Sequence, residues 1–249
     1  MMRMSNSSLV TYTKLSPNHS GLRTHAIDRI TPHCVVGQCS VETLGNIFAP
    51  TSRQASCNFG IGTDGRVGMY VEEANRSWCT SSKANDQRAV TIECASNSTA
   101  PYAFNNVVYV TLIKLCVDIC QRNGKTKLLW FGDKDISLNY IPKSNEMVLT
   151  VHRWFANKSC PGDWLISHMY ELSNKVTEQL NSSPKKEEIS YLVKITASAL
   201  NIRKGPSTSY DIVGCIRNKG IYTIVETQGS WGRLKSGVGW IYLEYTVKV

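Results

Sequence analysis

The chain has 249 residues, 42% of them hydrophobic and 19% charged, which supports a sizeable core and excludes global disorder. No apolar run reaches the roughly 18–20 residues that cross a bilayer as a helix; the longest, 107–120, is broken by Lys114 and Asp118. The net charge of +9 is uneven, with 18 basic and 14 acidic residues in 1–180 but 10 and 5 in 181–249. An anionic partner is therefore expected, but the basic residues are scattered and do not choose between nucleic acid, membrane and an acidic wall polymer.

The start, Met1-Met2-Arg3-Met4-Ser5-Asn6-Ser7-Ser8, has no apolar stretch of the secretory kind, so synthesis in the cytoplasm without a signal peptide is expected. His19 and His25 fall in a polar segment and read as surface residues. Residues 29–36 end in an apolar run and predict a buried strand. Ser40 is placed to cap a short helix over 41–48, which Pro50 ends. Residues 57–70 read as a hairpin turning at Thr63-Asp64-Gly65. A further strand is expected over 89–95.

Val108, Leu112, Leu115, Cys116 and Ile119 follow helical spacing, and Asn123-Gly124 is a fitting stop. Asp163 is a good N-cap for a last helix with Leu165, Met169, Leu172 and Val176 on one face. Strands mixed with long helices predict an α/β domain, a mixed central sheet flanked by helices. Nine cysteines, an odd number without a leader, argue for reduced thiols, buried or metal-bound. Cys116 and Cys120 read as core.

The polar, Pro-containing stretch 181–190 reads as a linker. Beyond it, 200–203, 211–214, 221–225, 231–234 and 239–242 look like short strands punctuated by Gly, Asn and Ser turns. Such spacing predicts a small all-β barrel over 191–249.

Three side chains compose a catalytic zinc set: His33, His152 and Cys160, with a fourth position left for water. His33 lies within the first buried strand and shares a face with Thr31 and Val35. By itself it reads as a satisfied core histidine or as a ligand. The seven residues between His152 and Cys160 form a weak metal signal. Lys158, two residues before Cys160, is placed to stabilise an oxyanion or is a solvated loop lysine. Glu93 alternates away from apolar Val90, Ile92 and Cys94. It is the candidate general base if that face lines a cleft, and an exposed edge residue otherwise. His168 lies on the last helix, where a hydrogen-bonded or solvated role is the default.

These residues together resemble a known family, the zinc-dependent N-acetylmuramoyl-L-alanine amidases of the second amidase type, which include animal peptidoglycan recognition proteins. Thr31-Pro32-His33-Cys34 is similar to the family's first-ligand strand. The segment from Cys57 to Gly65 is similar to its hairpin. Arg76-Ser77-Trp78-Cys79, Asn85-Asp86 and Glu93 follow in order, and the run from His152 to Gly162 is similar to its closing motif. The resemblance covers about residues 20–180.

It implies zinc held by His33, His152 and Cys160, Glu93 as general base and Lys158 as the stabilising cation. It also implies hydrolysis of the amide between N-acetylmuramic acid and L-alanine. One branch of the family carries a catalytic tyrosine where this chain has Cys57, which shifts the weight to Glu93. Many relatives have a histidine where this chain has Cys79, which puts one substrate contact in doubt.

Residues 191–249 resemble bacterial SH3-like domains, through the opening from Leu200 to Ser207 and the ending Gly239-Trp240-Ile241. The expected organisation is a catalytic domain over 1–180, a linker over 181–190 and a wall-binding domain over 191–249. The pairing resembles a phage endolysin. It would be a monomer without nucleic-acid partner or membrane insertion, acting on peptidoglycan after release at lysis. The rival reading is a peptidoglycan-binding protein without catalysis.

Overall fold

The computed structural model describes residues 6–182 and 190–249. Residues 1–5 of the start and 183–189 of the expected linker lie outside the described residues. The chain divides into two compact units, Met1–Asn181 and Ser182–Val249.

The first unit contains, in chain order, β1 (Val10–Thr13), β2 (His19–Leu22), β3 (Arg29–Cys34), α1 (Val41–Phe48), β4 (Phe59–Ile61), β5 (Val67–Met69) and β6 (Asn75–Ser77). There follow α2 (Lys83–Arg88), β7 (Ala89–Cys94), α3 (Asn106–Arg122), β8 (Lys127–Leu129), α4 (Lys134–Asn139), β9 (Glu146–Leu149) and α5 (Asp163–Asn181). Seven strands form one mixed sheet in the order β1-β5-β4-β7-β3-β9-β8, and β2 pairs with β6 apart from it. β4 and β5 are antiparallel, whereas β4, β7, β3, β9 and β8 run parallel.

Local chemistry accounts for the element ends. Ser40 caps α1 by accepting from the Thr43 N–H, which satisfies one of the donors left open at a helix start. Asn105 does the same for α3 through the Val108 N–H at 2.8 Å. Asp163 differs from the expected cap: it is the first residue of α5, and its carboxylate pairs with Arg153 at 2.9 Å. Gly65 turns the β4–β5 hairpin at φ +82°, where an added Cβ would collide with the Val107 side chain. Only glycine fits there.

The two faces of β3 and β7 differ in character. Ile30, Val90, Ile92 and Cys94 pack into the main core against Val108, Leu112, Leu115, Cys116 and Ile119 of α3 and Leu165, Met169, Leu172 and Val176 of α5. A smaller cluster of Leu44, Phe48, Cys57 and Tyr70 holds α1. Thr31, His33, Thr91 and Glu93 alternate with the apolar set and look the other way. Glu93 is not at a sheet edge, because β7 lies between β4 and β3. Among the described residues, no helix is long and apolar enough to cross a membrane.

The second unit is all β: β10 (Tyr191–Ile195), β11 (Leu200–Arg203), β12 (Ile212–Ile216), β13 (Ile221–Gln228), β14 (Trp231–Leu234), β15 (Trp240–Tyr242) and β16 (Thr246–Lys248). They form a seven-stranded sheet in the order β12-β11-β15-β14-β13-β10-β16, antiparallel throughout. Val193, Ile195, Leu200, Ile202, Ile216, Ile224, Leu234 and Ile241 make its own core.

Candidate metal centre

The site grows from the polar face of β3 and β7. The two strands are parallel, with Thr31 opposite Thr91 and His33 opposite Glu93. Side chains opposite one another share a face, so one backbone ladder sets an imidazole beside a carboxylate. The threonine layer beneath is closed by hydrogen bonds. Thr31 Oγ1 meets Thr150 Oγ1 at 2.7 Å and accepts from Asn85 Nδ2 at 3.1 Å, while Thr91 Oγ1 meets Ser77 Oγ at 2.8 Å. That satisfied layer is the floor on which His33 and Glu93 stand.

The other two residues come from one tight segment beyond β9. His152 opens a 3₁₀ turn, His152–Trp154, and Trp154 stacks on Trp130 with centroids 5.2 Å apart. The Arg153 N–H donates to the Cys160 carbonyl at 3.1 Å, and the Arg153 guanidinium reaches Asp163 and the Ser159 carbonyl. The segment is thereby clasped on itself. Gly162 continues it at φ +86°, where a Cβ would lie 2.7 Å from the Pro101 carbonyl oxygen.

One donor atom from each of His33, His152 and Cys160 lies within 4.8 Å of the others. Cys160 Sγ is 3.3 Å from His33 Nδ1, close to the roughly 3.5 Å between nitrogen and sulfur donors around tetrahedral zinc, given bonds of about 2.0 and 2.3 Å. The two imidazole rings are 5.0 Å apart at 61°. A second trio, His33, Cys79 and Glu93, also converges, with Cys79 facing the other ring nitrogen of the same imidazole.

Electrostatics fit a cation. Burial, with His152 nearby, holds the His33 imidazole well below its usual range, and burial and Lys158 lower His152. Both rings stay neutral, the form that ligates. A hydrogen bond with Cys34, and then burial, push the Cys160 thiol up. Burial raises the Glu93 carboxyl to about 8. Glu93 Oε1 is 3.9 Å from His33 Nδ1, with 16% of its side chain exposed. Glu93 Oε2 is buried and has no hydrogen-bond partner among the described residues. A neutral two-His, one-Cys set beside an orphaned carboxylate oxygen is a donor chemistry that zinc and an attached water fit.

The centre opens into a groove with two lobes that share Arg53, His152 and Lys158. One, of about 330 Å³, carries the three candidate ligands, Glu93 and apolar Val35, Val36, Ile47 and Phe48. The other, of about 630 Å³, is lined by Arg76, Trp78, Cys79, Ser81, Lys83 and Asp86. Lys158 is exposed between the lobes. Three non-glycine residues on these walls, Val36, Gln54 and Ser81, hold left-handed φ values of 60°, 50° and 63°. Such conformations collect at functional sites.

The expected site residues therefore meet in one place. His19 is half-buried in β2, His25 is exposed, and His168 stacks on Trp164 with its Nδ1 2.7 Å from the Trp164 carbonyl. Arg53, Ser81 and Asp86 carried no chemistry in the sequence reading. Arg53 and Ser81 lie in turns without periodic signal, and Asp86 sits in the six-residue α2, too short to announce itself. Ser81 Oγ is 3.5 Å from His152 Nε2.

Residues 23–163 match the family model described as N-acetylmuramoyl-L-alanine amidase, and residues 198–247 match the bacterial SH3 domain. Comparison with the curated proteins gives no match. Among solved structures, the chain is similar to the endolysin N-acetylmuramoyl-L-alanine amidase LysCS from Clostridium intestinale URNW, at 15% identity and TM-score 0.41, over 66% of this chain and 99% of that one. It is also similar to AmpD, at 15% identity and TM-score 0.47, over 69% of this chain and 98% of that one. A third is the Staphylococcus aureus hydrolase AmiA, at 13% identity and TM-score 0.44, over 72% of this chain and 93% of that one.

Proposed function

The chain belongs to the N-acetylmuramoyl-L-alanine amidase family, and from that premise we propose that its hydrolysis of peptidoglycan is zinc-dependent and centred on His33, His152 and Cys160. The observation that carries this reading is the convergence of those three donors beside Glu93, in a groove open to a polymer.

Zinc bound there would supply positive charge that makes water acidic near neutral pH and polarises a carbonyl. The remaining work falls to this chain's own side chains. The groove positions the lactyl amide between its lobes. Glu93 takes a proton from the attacking water through its carboxylate, which lines the groove. The positive charge of bound zinc would favour the ionised carboxylate that this role requires, against the burial that raises the Glu93 carboxyl in the metal-free chain. Lys158 places its ammonium toward the carbonyl oxygen as negative charge develops there. Glu93 then returns the proton to the departing alanine nitrogen, which leaves as the free amine. Val35, Val36, Ile47 and Phe48 give that lobe an apolar wall against which charge is poorly screened.

The second unit is proposed as the wall-binding module. Its support is a cleft of about 700 Å³ lined by Trp231, Tyr242 and Tyr245 together with Arg203 and Asn201. Flat aromatic faces with a few polar groups suit an extended sugar or peptide chain. Action on the wall after release at lysis is part of the same proposal. The rival reading, recognition without catalysis, is not favoured by a complete donor set with a carboxylate beside it.

Digestion of purified peptidoglycan, followed by mass spectrometry, tests the proposal. New N-terminal alanines without new reducing ends are expected, together with loss of activity on chelation and its return with zinc. Full activity in zinc-stripped protein would refute the metal part.

A further inference from the structure

Cys79 stands where the sequence reading leaves a substrate contact in doubt; it lines one lobe of the groove and also reaches the imidazole of His33. Its Sγ is 3.3 Å from His33 Nε2, on the far side of the imidazole from Cys160. The same sulfur is 3.9 Å from Glu93 Oε1. We propose that Cys79 is a positioning residue: it accepts the His33 Nε2–H, fixing the tautomer that turns Nδ1 to the metal, and directs its own S–H to Glu93. This rests on the zinc reading above.

The physical need comes from His33 itself. A neutral imidazole has one protonated nitrogen and one lone pair. If Nδ1 ligates, Nε2 carries the hydrogen and needs an acceptor. His33 is fully buried, so bulk water cannot serve, and a buried donor left unpaired is destabilising. The contact His33 Nε2 makes among the described residues is the Cys79 sulfur. Ligating histidines usually give their second N–H to a carboxylate or carbonyl; here a thiol takes that place.

Cys79 is itself held. Asp86 Oδ2 accepts the Cys79 N–H at 3.1 Å, and Asp86 also receives the Thr80 hydroxyl at 2.6 Å and the Thr80 N–H. Asp86 is 2% exposed, so the anchor is shielded from solvent. A chain of contacts then runs from α2 through Cys79 to the ligand and on to the base. The trio of His33, Cys79 and Glu93 also converges closely enough to be a rival metal position. That arrangement would consume Glu93 as a ligand and leave the reaction without its base, whereas the His33, His152 and Cys160 set leaves Glu93 free.

The test compares Cys79→Ala, Cys79→Val and Cys79→Ser with Cys160→Ser in the full chain. Zinc affinity is read by competition with a chromophoric chelator. The ligand set is read from the thiolate-to-cobalt charge-transfer band of the Co(II)-loaded proteins. Cys79→Ala and Cys79→Val should bind zinc about 10–100-fold more weakly, the usual cost of losing such a partner. Val keeps the space filled should Ala disturb the fold. Cys79→Ser, which can still accept and donate, should recover to within a few-fold of the parent. The cobalt band should keep its intensity in every Cys79 variant and vanish in Cys160→Ser.

Parental zinc affinity in Cys79→Ala or Cys79→Val, with loss in Cys160→Ser, overturns this inference alone. So does a weakened cobalt band in the Cys79 variants, which would make Cys79 a ligand. Zinc retained in Cys160→Ser overturns the zinc reading and this inference together.

Discussion

His33 and Glu93 occupy the same rung of two adjacent parallel strands, with Nδ1 and Oε1 3.9 Å apart. The proposed ligand and the proposed base are thus spaced by main-chain hydrogen bonds in the middle of a sheet, where the backbone is least free to move. The other two proposed ligands ride on a clasped segment outside the sheet, and the groove lies between the fixed and the added parts.

Removing the thiolate ligand gives the clearest metal phenotype. Cys160→Ser should lower zinc content well below one per chain and abolish wall lysis. Because the free thiol is held protonated by its hydrogen bond with Cys34 and by burial, binding must release a proton, and zinc affinity should fall as the pH is lowered. Metal analysis after dialysis at several pH values checks both statements. Stoichiometric zinc in the Ser variant would count against the assignment.

Glu93→Gln separates chemistry from metal binding. Zinc content should stay parental, while turnover falls about 10²–10⁴-fold, the range for losing a general acid–base group. Lys158→Ala should also keep its zinc and lose rate. A zinc-loaded Gln variant with more than about a tenth of parental turnover would remove Glu93 from the mechanism, being far above that range.

The same carboxyl should shape the stability of the zinc-free protein. Its folded pKa is raised to about 8 from the ordinary 4.5, first by burial. Between those values the folded chain holds a proton that the unfolded chain releases, so this contribution is complete below about 4.5 and is lost as the pH rises towards 8. Melting temperatures of zinc-free parent and zinc-free Glu93→Gln should diverge over that window, with the parent falling behind at the alkaline end. Parallel curves would refute it.

Val36 offers a backbone test. A β-branched residue at φ 60° is held in a region that costs an L-residue roughly 1–2 kcal/mol. Glycine removes that cost but adds unfolded-state freedom worth about 0.5–1 kcal/mol. Val36→Gly should therefore be neutral or stabilising by up to about 1 kcal/mol, even though it deletes a side chain. Chemical denaturation reads the result; a loss above about 1 kcal/mol would mean that its apolar contact outweighs the strain.

Much of this was legible in the residues. Ser40 announced α1, Thr63-Asp64-Gly65 announced the hairpin, and the alternation around Glu93 set it opposite the apolar face. The heptad-like spacing from Val108 to Ile119 marked α3. What escaped were elements without periodicity or length. β8 and β9 have three and four residues; Met147, Val148 and Leu149 are buried on both faces, so no alternation betrays them. The pairing of His33 with Glu93 was illegible too, since register between strands 55 residues apart leaves no local trace. Cys79 was seen only as a departure, because it lies in a loop beyond β6 and the sulfur's partner lies on β3, distant in sequence.

The three donors come from positions 33, 152 and 160, near the beginning and near the end of the first unit. A growing chain that has reached only α4 offers a single donor and no groove wall from the later segment. Completion of the centre is thus a late event in synthesis, and catalytic competence would arrive all at once. On the proposed zinc reading, a fragment that ends before His152 holds one of the three donors and should be inert, whether it is nascent or a product of proteolysis.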